Sequence, residues 1–210
     1  MGRFHYEREE MVDLIRSRGV RDERLLAAML MVERHRFVPE PFTGRSYDDS
    51  ALPIGNGQTI SQPYTVAVMT EALQVKDGAK ILEIGTGSGY QAAILAEMGA
   101  RLFTIERNLS LLSGARGLLD QMGYRVVSRG GDGTIGWKDQ APFAGIIVTA
   151  GAPSIPDALT AQLVDGGRLV IPVGDLEIQR LVVATRRGEV LERQEIDGFK
   201  FVPLIGKMGW

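Results

Sequence analysis

Three glycines at alternate positions follow a short apolar run and precede a helical pattern, an arrangement suited to ligand binding. The segment is Lys80-Ile-Leu-Glu-Ile-Gly-Thr-Gly-Ser-Gly-Tyr90. Glycine allows a turn at positive φ, and a ligand can approach its backbone closely because it has no Cβ. Free N–H groups and the dipole at the start of the following helix favour a polar or negatively charged ligand. The segment therefore predicts a binding site.

The spacing of the glycines narrows the class of ligand. A dinucleotide site of the G-x-G-x-x-G type needs glycine at position 90, which is tyrosine. The observed pattern, E-x-G-x-G-x-G, is typical of S-adenosylmethionine sites. A dehydrogenase and a tight turn without a ligand are the alternatives that this segment alone leaves open. The binding residues that it predicts are Glu83, Gly85, Thr86, Gly87, Ser88 and Gly89.

Polar residues also follow the next two predicted strands. Glu106 ends the second strand, 21 residues after Gly85, where a carboxylate can accept hydrogen bonds from both ribose hydroxyls. Asp132 and Gly133 follow the third strand, where Asp132 can meet an adenine amino group. Taken singly, Glu106 can be a solvated charge and Gly131-Asp-Gly133 an ordinary turn. Their place at the ends of consecutive strands favours a common site, because parallel strands present these ends along one edge.

The elements that position these residues alternate along the chain. Apolar spacing predicts helices at 4–18, 22–34 and 63–73 in the N-terminal part. From Lys80 onward, strands are predicted at 80–84, 101–106, 124–128, 144–149 and 167–173, and helices at 90–98, 109–122 and 156–163. Further β segments are predicted around 181–184, 190–191 and 199–202, with turns at Gly188 and Gly198. Such alternation predicts an α/β fold with a mostly parallel, doubly wound sheet.

A second polar cluster lies in Pro53-Ile-Gly-Asn-Gly-Gln-Thr-Ile-Ser-Gln-Pro-Tyr64. The stretch from Tyr47 to Gln62 is predicted to be irregular. Ser61 is a candidate N-cap for the helix that follows, with Pro63 in its first turn. This is compatible with a functional role, because a helix N-terminus can also hold a carboxylate.

Composition limits the classes of function. The chain has 210 residues, a net charge of −2, no cysteine and two histidines. The charge predicts no general affinity for nucleic acid or membranes, and no stretch approaches the ~20 apolar residues of a membrane span. Disulfides and thiolate metal sites are excluded. His5 and His35 are expected on the solvated surface, so neither a metal site nor a catalytic histidine is predicted. A cytoplasmic protein is expected.

Motifs spread over nearly the whole chain resemble the bacterial protein-L-isoaspartate (D-aspartate) O-methyltransferases. They are Arg36-Phe-Val38, Gly57-Gln-Thr-Ile-Ser-Gln-Pro-Tyr64, Leu82-Glu-Ile-Gly-Thr-Gly-Ser-Gly-Tyr-Gln91, Gly131-Asp-Gly133, Ile146-Ile-Val-Thr149, Asp165-Gly-Gly167 and Phe201-Val-Pro-Leu204. The resemblance implies a Rossmann-like methyltransferase fold in a single domain, 1–210. Within it, 1–75 form a helical N-terminal cap with the active-site segment, 76–175 the cofactor-binding core and 176–210 C-terminal β segments.

The resemblance also implies an activity and the residues that perform it. Family members methylate the free α-carboxylate of L-isoaspartyl residues in damaged proteins and peptides, using S-adenosyl-L-methionine and releasing S-adenosyl-L-homocysteine. Ser61 is implied as the active-site serine, with Thr59, Ile60 and Gln62 against cofactor and substrate. A monomer is expected. The alternatives are a methyltransferase of the same fold that acts on RNA or a small molecule, and a non-catalytic cofactor-binding protein.

Two positions depart from the family pattern. Gly151 stands where family members often have alanine, which predicts a looser loop after Thr149. Ile205 and the terminal residues up to Trp210 replace polar residues that some members place near the cofactor, so no C-terminal cofactor contact is predicted.

Overall fold

The computed structural model describes residues 2–210, which contain six α-helices and nine strands. The helices are α1 (Arg3–Ser17), α2 (Glu23–Met31), α3 (Pro63–Leu73), α4 (Tyr90–Glu97), α5 (Leu109–Gln121) and α6 (Asp157–Thr160). The strands are β1 (Leu52–Gly55), β2 (Gln58–Ile60), β3 (Lys80–Ile84), β4 (Arg101–Glu106), β5 (Val126–Gly130), β6 (Phe143–Val148), β7 (Leu163–Gly174), β8 (Gln179–Arg187) and β9 (Val190–Phe199).

Seven strands form one sheet in the order β5-β4-β3-β6-β7-β8-β9. The first five of these are parallel to their neighbours, and β8 and β9 are antiparallel. The chain runs outward from β3 through β4 to β5 and then returns to β6 on the other side of β3. The carboxyl end of β3 is therefore the switch point in strand order, where α/β sheets bind ligands. The predicted Rossmann-like α/β fold is confirmed.

Successive residues of the central strands contribute to different apolar cores. Ile81 belongs to the core that includes α1 to α4, whereas Leu82 belongs to the core on the opposite face. Ile147 and Ile146 divide in the same way on β6. This alternation follows from the two-residue period of a strand, and burial of both faces explains the nearly continuous apolar runs in β3 and β6.

The N-terminal helices are tied to the sheet layer through backbone carbonyls. Arg24 of α2 donates to Val75 O (3.1 Å) and Met98 O (2.7 Å), which follow α3 and α4. The carboxylate of Glu71 in α3 accepts from the N–H groups of Arg21 and Asp22 (2.6 and 2.8 Å). These bonds fix the cap relative to α3, whose first turn adjoins the functional segment.

Several predicted boundaries were wrong. The segment 47–62 contains a two-stranded hairpin, β1–β2, because Asn56 and Gly57 adopt positive φ (52° and 69°) and close a tight turn. The predicted helix 156–163 is a single turn, α6, since residues from Leu163 pair with β6. The predicted helix 22–34 ends at Met31 and is followed by a 3₁₀ turn, Arg34–Phe37. Gly198 lies inside β9 rather than in a turn, and 199–202 is not a separate strand.

Within residues 2–210, no helix combines the length and the apolar character that crossing a bilayer requires.

Candidate functional site

A cavity of about 360 Å³ opens at the carboxyl ends of β3, β4 and β6. Its walls come from six parts of the chain: the hairpin with the residues after it, the glycine loop with the start of α4, the end of β4, the turn after β5, the end of β6, and the C-terminal segment. The predicted site residues that line it are Thr59, Ile60, Ser61, Gly85, Thr86, Gly87, Ser88, Glu106 and Gly133. The volume suits a small organic ligand.

The glycine loop keeps its backbone open toward this cavity. Gly85, Gly87 and Gly89 all have positive φ (94°, 52° and 89°). A Cβ on Gly85 would collide with Oγ1 of Thr149, which donates to the carbonyl of Gly85 at 2.7 Å. The loop is thus pinned to the end of β6 through a position that only glycine fits. Gly89 does not line the cavity; it is the N-cap residue of α4 and lies where a Cβ would press on Ala115.

Glu106 presents its carboxylate to the same cavity. Its Oε2 accepts from the N–H of Gly87 (3.0 Å), and its Oε1 accepts from the N–H of Asn108 (2.8 Å). The side chain is nearly buried and lines the cavity. Because each carboxylate oxygen can accept two hydrogen bonds, both oxygens keep capacity for hydroxyl groups of a ligand.

Glu83 lies behind the glycine loop rather than on the cavity wall. It is fully buried, and its Oε2 accepts from Oγ1 of Thr104 (2.6 Å), which lies 2.6 Å from Oγ1 of Thr86. Oε1 has no hydrogen-bond partner within the described residues. Burial raises the pKa of Glu83 to about 8, so the group is mostly protonated at neutral pH. The predicted contact between Glu83 and a cofactor stays a prediction.

Asp132 faces the C-terminal segment. Its Oδ1 accepts from the backbone N–H and the hydroxyl of Thr134 (2.8 and 2.7 Å), and its Oδ2 accepts from the N–H of Lys207 (2.8 Å). Burial acts to raise the pKa of this carboxyl, but the hydrogen bonds from Lys207 and Thr134 outweigh burial and lower it. Gly133 lines the cavity whereas Asp132 does not, and its predicted adenine contact stays a prediction.

The segment 58–62 forms the opposite wall of the cavity. The predicted N-cap role of Ser61 is wrong: α3 begins at Pro63 with Gln62 as its N-cap residue, and no side chain of its own segment caps it. Instead, Asp49 accepts from the N–H of Tyr64 at 3.0 Å, which sequence spacing alone did not indicate. Ser61 is half-buried and lines the cavity. Gln62 lines a neighbouring groove between α3, β8 and the end of β9.

Arg34 holds the segment 58–62 in place through a hydrogen bond to its backbone, and the sequence did not indicate this role. It is fully buried and donates from Nε to Ser46 O (2.7 Å) and from Nη2 to Ser61 O (2.8 Å). It lies in a charged run, Glu33-Arg-His-Arg36, and such a run does not by itself indicate burial. His35 in that run is partly buried rather than fully solvated, because its ring stacks on Phe4 (4.2 Å) and its Nδ1 lies 2.8 Å from Tyr47 Oη.

The C-terminal segment closes the remaining wall. Residues from Val202 to Ile205 line the cavity, a contribution that the sequence did not predict. The expected loosening at Gly151 is wrong, since its N–H donates to Val202 O (2.8 Å) and its carbonyl accepts from Leu204 N (2.7 Å). A Cβ at Gly151 would press on Gln179, so glycine permits this close packing.

Comparison with known proteins decides the family. The family model described as protein-L-isoaspartate(D-aspartate) O-methyltransferase matches residues 6–209. A protein-L-isoaspartate O-methyltransferase of Syntrophus aciditrophicus is 54% identical, covering 100% of this chain and 99% of its own. One from Geobacter metallireducens is 53% identical, over 99% of this chain and 97% of its own.

The chain belongs to this family.

Solved structures agree on the fold of the family. A protein-L-isoaspartate O-methyltransferase superposes with a TM-score of 0.87 at 25% identity, covering 96% of this chain and 67% of that one. A protein-L-isoaspartate O-methyltransferase from Plasmodium falciparum, in complex with S-adenosyl-L-homocysteine, superposes with a TM-score of 0.82 at 22% identity, over 94% of this chain and 98% of its own. Family members use S-adenosyl-L-methionine. No cluster of three or more metal-ligating side chains exists among residues 2–210.

Proposed function

We propose that this chain transfers the methyl group of S-adenosyl-L-methionine to the free α-carboxylate of L-isoaspartyl residues in damaged proteins and peptides. The observation that carries the proposal is the joint lining of one cavity by the glycine loop with Glu106 on one side and by Thr59, Ile60 and Ser61 on the other. The donor pocket thus adjoins residues 58–62, here called the acceptor segment, which resemble the family's acceptor site. The ester that forms would close to a succinimide when the neighbouring backbone amide nitrogen attacks the ester carbonyl and methanol leaves, and hydrolysis of the succinimide partly restores normal aspartyl linkages.

The residues of the cavity fit the methyl donor. Gly85 and Gly87 give a backbone that a ligand can approach, Glu106 has free acceptor capacity for ribose hydroxyls, and Gly133 offers a surface without a side chain to adenine. When bound there, S-adenosyl-L-methionine supplies an electrophilic methyl group on a positively charged sulfur. We propose that the glycine loop and Glu106 hold its methionyl and ribose parts.

The rate of this reaction depends on how the carboxylate is positioned against the methyl group, and no proton transfer is required. The α-carboxyl of an isoaspartyl residue has a pKa of about 3.5, so it is ionised at neutral pH and needs no general base. Holding a nucleophile in line can contribute on the order of 7–11 kcal/mol. Because opposite charges neutralise during the transfer, a site that excludes water also favours it.

We propose that the hydroxyl of Ser61 and nearby backbone N–H groups orient the carboxylate, and that Ser61 forms no covalent intermediate. The position of Ser61 on the cavity wall, just before the first turn of α3, supports this role.

Selection of isoaspartyl over aspartyl residues would follow from shape, since the isoaspartyl linkage adds a methylene to the backbone and leaves a carboxylate in place of a side chain. A groove that runs from Gln62 and Thr65 to Gln179, Phe199 and Lys200 adjoins the acceptor segment. An extended peptide along this groove, toward Phe201–Leu204, would bring its carboxylate to Ser61. Peptide cross-links that map only to α1 and α2 would contradict this path.

We further propose that the enzyme acts as a monomer in the cytoplasm, on proteins and not on nucleic acids. A net charge of −2 supports a protein partner over a polyanion. The absence of cysteine suits a reducing compartment.

The decisive experiment measures transfer of labelled methyl groups from S-adenosyl-L-methionine to a short peptide carrying L-isoaspartate or L-aspartate at one position. We expect base-labile label in the isoaspartyl peptide alone. Label in neither peptide, with S-adenosyl-L-homocysteine binding intact by calorimetry, would move the function to another acceptor. Equal label in both would refute the proposed selectivity.

A further inference from the structure

Arg34 is a buried cation without a neutralising partner. None of its nitrogens lies within 4.0 Å of a carboxylate oxygen among residues 2–210, so it forms no ion pair there, and Nη1 has no hydrogen-bond partner. Asp49 is a nearby negative group, but its two oxygens are engaged by Arg18 and by the N–H of Tyr64. Burial lowers the pKa of Arg34, yet an arginine remains protonated at any physiological pH.

The charge lies directly behind the acceptor segment. Nη2 donates to the carbonyl of Ser61, and the guanidinium lies 4.8 Å from the ring centre of Tyr90, which lines the cavity. The hydroxyl of Tyr90 has no partner among the described residues, and burial raises its pKa to about 12, so it stays neutral. One peptide unit and one uncharged ring therefore separate the cation from the place where an acceptor would bind.

A buried, unpaired cation is costly, and an incoming anion would offset that cost. The interaction is strong at such a place, because a site that excludes water screens charges weakly. A neutral acceptor group would not be stabilised by this attraction to Arg34.

We propose that Arg34 is a positioning residue of the acceptor site, which fixes the Ser61 peptide and makes the site prefer an anionic carboxylate to a neutral group in the same place. This inference rests on the proposed function. It implies that the charge favours binding of the carboxylate substrate and disfavours retention of the uncharged methyl ester, so the same residue assists product release.

The geometry explains why an arginine is needed. Its rigid fork holds the carbonyls of Ser46 and Ser61 at once, whereas a lysine is a single point charge on a flexible stem. Arg34→Lys should therefore keep the charge and lose part of the positioning, and Arg34→Met should lose both.

Arg24 provides a matched control. It also donates to two backbone carbonyls, those of Val75 and Met98, but it lies away from the cavity wall. Arg24→Met removes a comparable pair of hydrogen bonds to backbone carbonyls, from a residue that is itself exposed, without removing charge behind Ser61.

The test compares the affinity of two peptides for the complex with S-adenosyl-L-homocysteine, measured by calorimetry. One peptide carries isoaspartate with a free α-carboxylate, and the other carries the neutral α-carboxamide in its place. We expect the wild type and Arg24→Met to prefer the carboxylate peptide by about tenfold or more. In Arg34→Met the preference should fall about tenfold, and in Arg34→Lys it should stay within about threefold of the wild type while kcat falls.

A preference in Arg34→Met equal to that of the wild type would overturn the inference. If Arg34→Met does not fold, Arg34→Lys decides, and loss of the preference in that charge-retaining variant contradicts the role of the charge. Wild-type protein that binds both peptides equally also overturns the inference, whether or not methyl transfer occurs. Missing methyl transfer with the preference present counts only against the proposed function.

Discussion

At the scale of single residues, the acceptor side of the cavity depends on Ser61. Its side chain lies on the wall that faces the glycine loop, and its carbonyl is held by Arg34. Loss of a hydrogen bond to a charged group costs about 1.5–3 kcal/mol, which corresponds to roughly 10- to 150-fold in rate when the bond acts in the transition state.

We therefore expect Ser61→Ala to lower kcat by about 10- to 100-fold and to change the affinity for S-adenosyl-L-homocysteine by less than about twofold. Steady-state methyl transfer and calorimetry measure the two quantities. Ser113→Ala, at an exposed position of α5, is the control and should change neither. Equal losses of turnover and cofactor affinity would refute the proposed role of Ser61.

Glu83 gives a prediction about pH. Its pKa is raised to about 8 in the folded protein by burial, against about 4.5 for the free group. Between these values the folded state binds the proton more tightly than the unfolded state. The contribution of protonated Glu83 to the free energy of unfolding is therefore fully present below pH 4.5. It falls by about 1.4 kcal/mol for each pH unit above that value and is lost once the pH exceeds 8.

Glu83→Gln removes this titration and keeps a hydrogen-bonding side chain beside Thr104. We expect the free energy of unfolding of the wild type to fall relative to the variant between pH 5 and 8, as measured by urea denaturation at several pH values. A constant difference between the two proteins over that range would show that Glu83 is ionised in the folded state.

At the scale of elements, glycine serves opposite purposes in the loop after β3 and in α5. Gly85 has a φ of 94° and no room for a Cβ beside Thr149, whereas Gly114 lies in the helical backbone of α5 with open space around it.

Gly85→Ala should lower the free energy of unfolding by about 2 kcal/mol or more and weaken cofactor binding, because a left-handed conformation and a collision are imposed together. Gly114→Ala should raise the free energy of unfolding by about 0.5–1 kcal/mol, since alanine has the higher helix propensity. Urea denaturation and calorimetry with S-adenosyl-L-homocysteine test both. A Gly85→Ala protein with unchanged cofactor affinity would contradict the proposed role of the glycine loop in binding the cofactor.

At the scale of the whole molecule, the C-terminal segment connects parts that are far apart in sequence. Asp132 holds the N–H of Lys207, and the indole Nε1 of Trp210 donates to the carbonyl of Gly151 (3.1 Å). These bonds fix the stretch from Val202 to Ile205 as a cavity wall. Together with the two cores on either side of one sheet, they support the proposal that 1–210 form a single domain.

Asp132→Asn should weaken the attachment of the C-terminal segment, because the amide nitrogen of asparagine cannot accept the hydrogen bonds that both carboxylate oxygens now accept. We expect the free energy of unfolding to fall by about 1–3 kcal/mol and the affinity for S-adenosyl-L-homocysteine to fall with it. Asp139→Asn, at an exposed position, is the control for a lost charge. Lower cofactor affinity with unchanged stability would instead favour a direct contact between Asp132 and adenine.

Local patterns of residue type were enough to predict the parallel sheet, the glycine turn and the family. The strands β3 and β6 were predicted within one residue at each end, because burial on both faces leaves a mostly apolar run that local composition reveals. Glu106 was singled out by its place at the end of a predicted strand and Ser61 by the resemblance to the family, and both line the cavity.

The side chains that support the site became evident from long-range contacts in the folded chain. Asp49 reaches the first turn of α3, Arg34 reaches Ser61 across 27 residues, and Asp132 reaches Lys207 across 75. None of these contacts leaves a local pattern, because a hydrogen bond to a backbone N–H or carbonyl requires no particular side chain in its partner. The burial of Arg34 and Glu83, which sets their electrostatic behaviour, likewise depends on packing by distant segments.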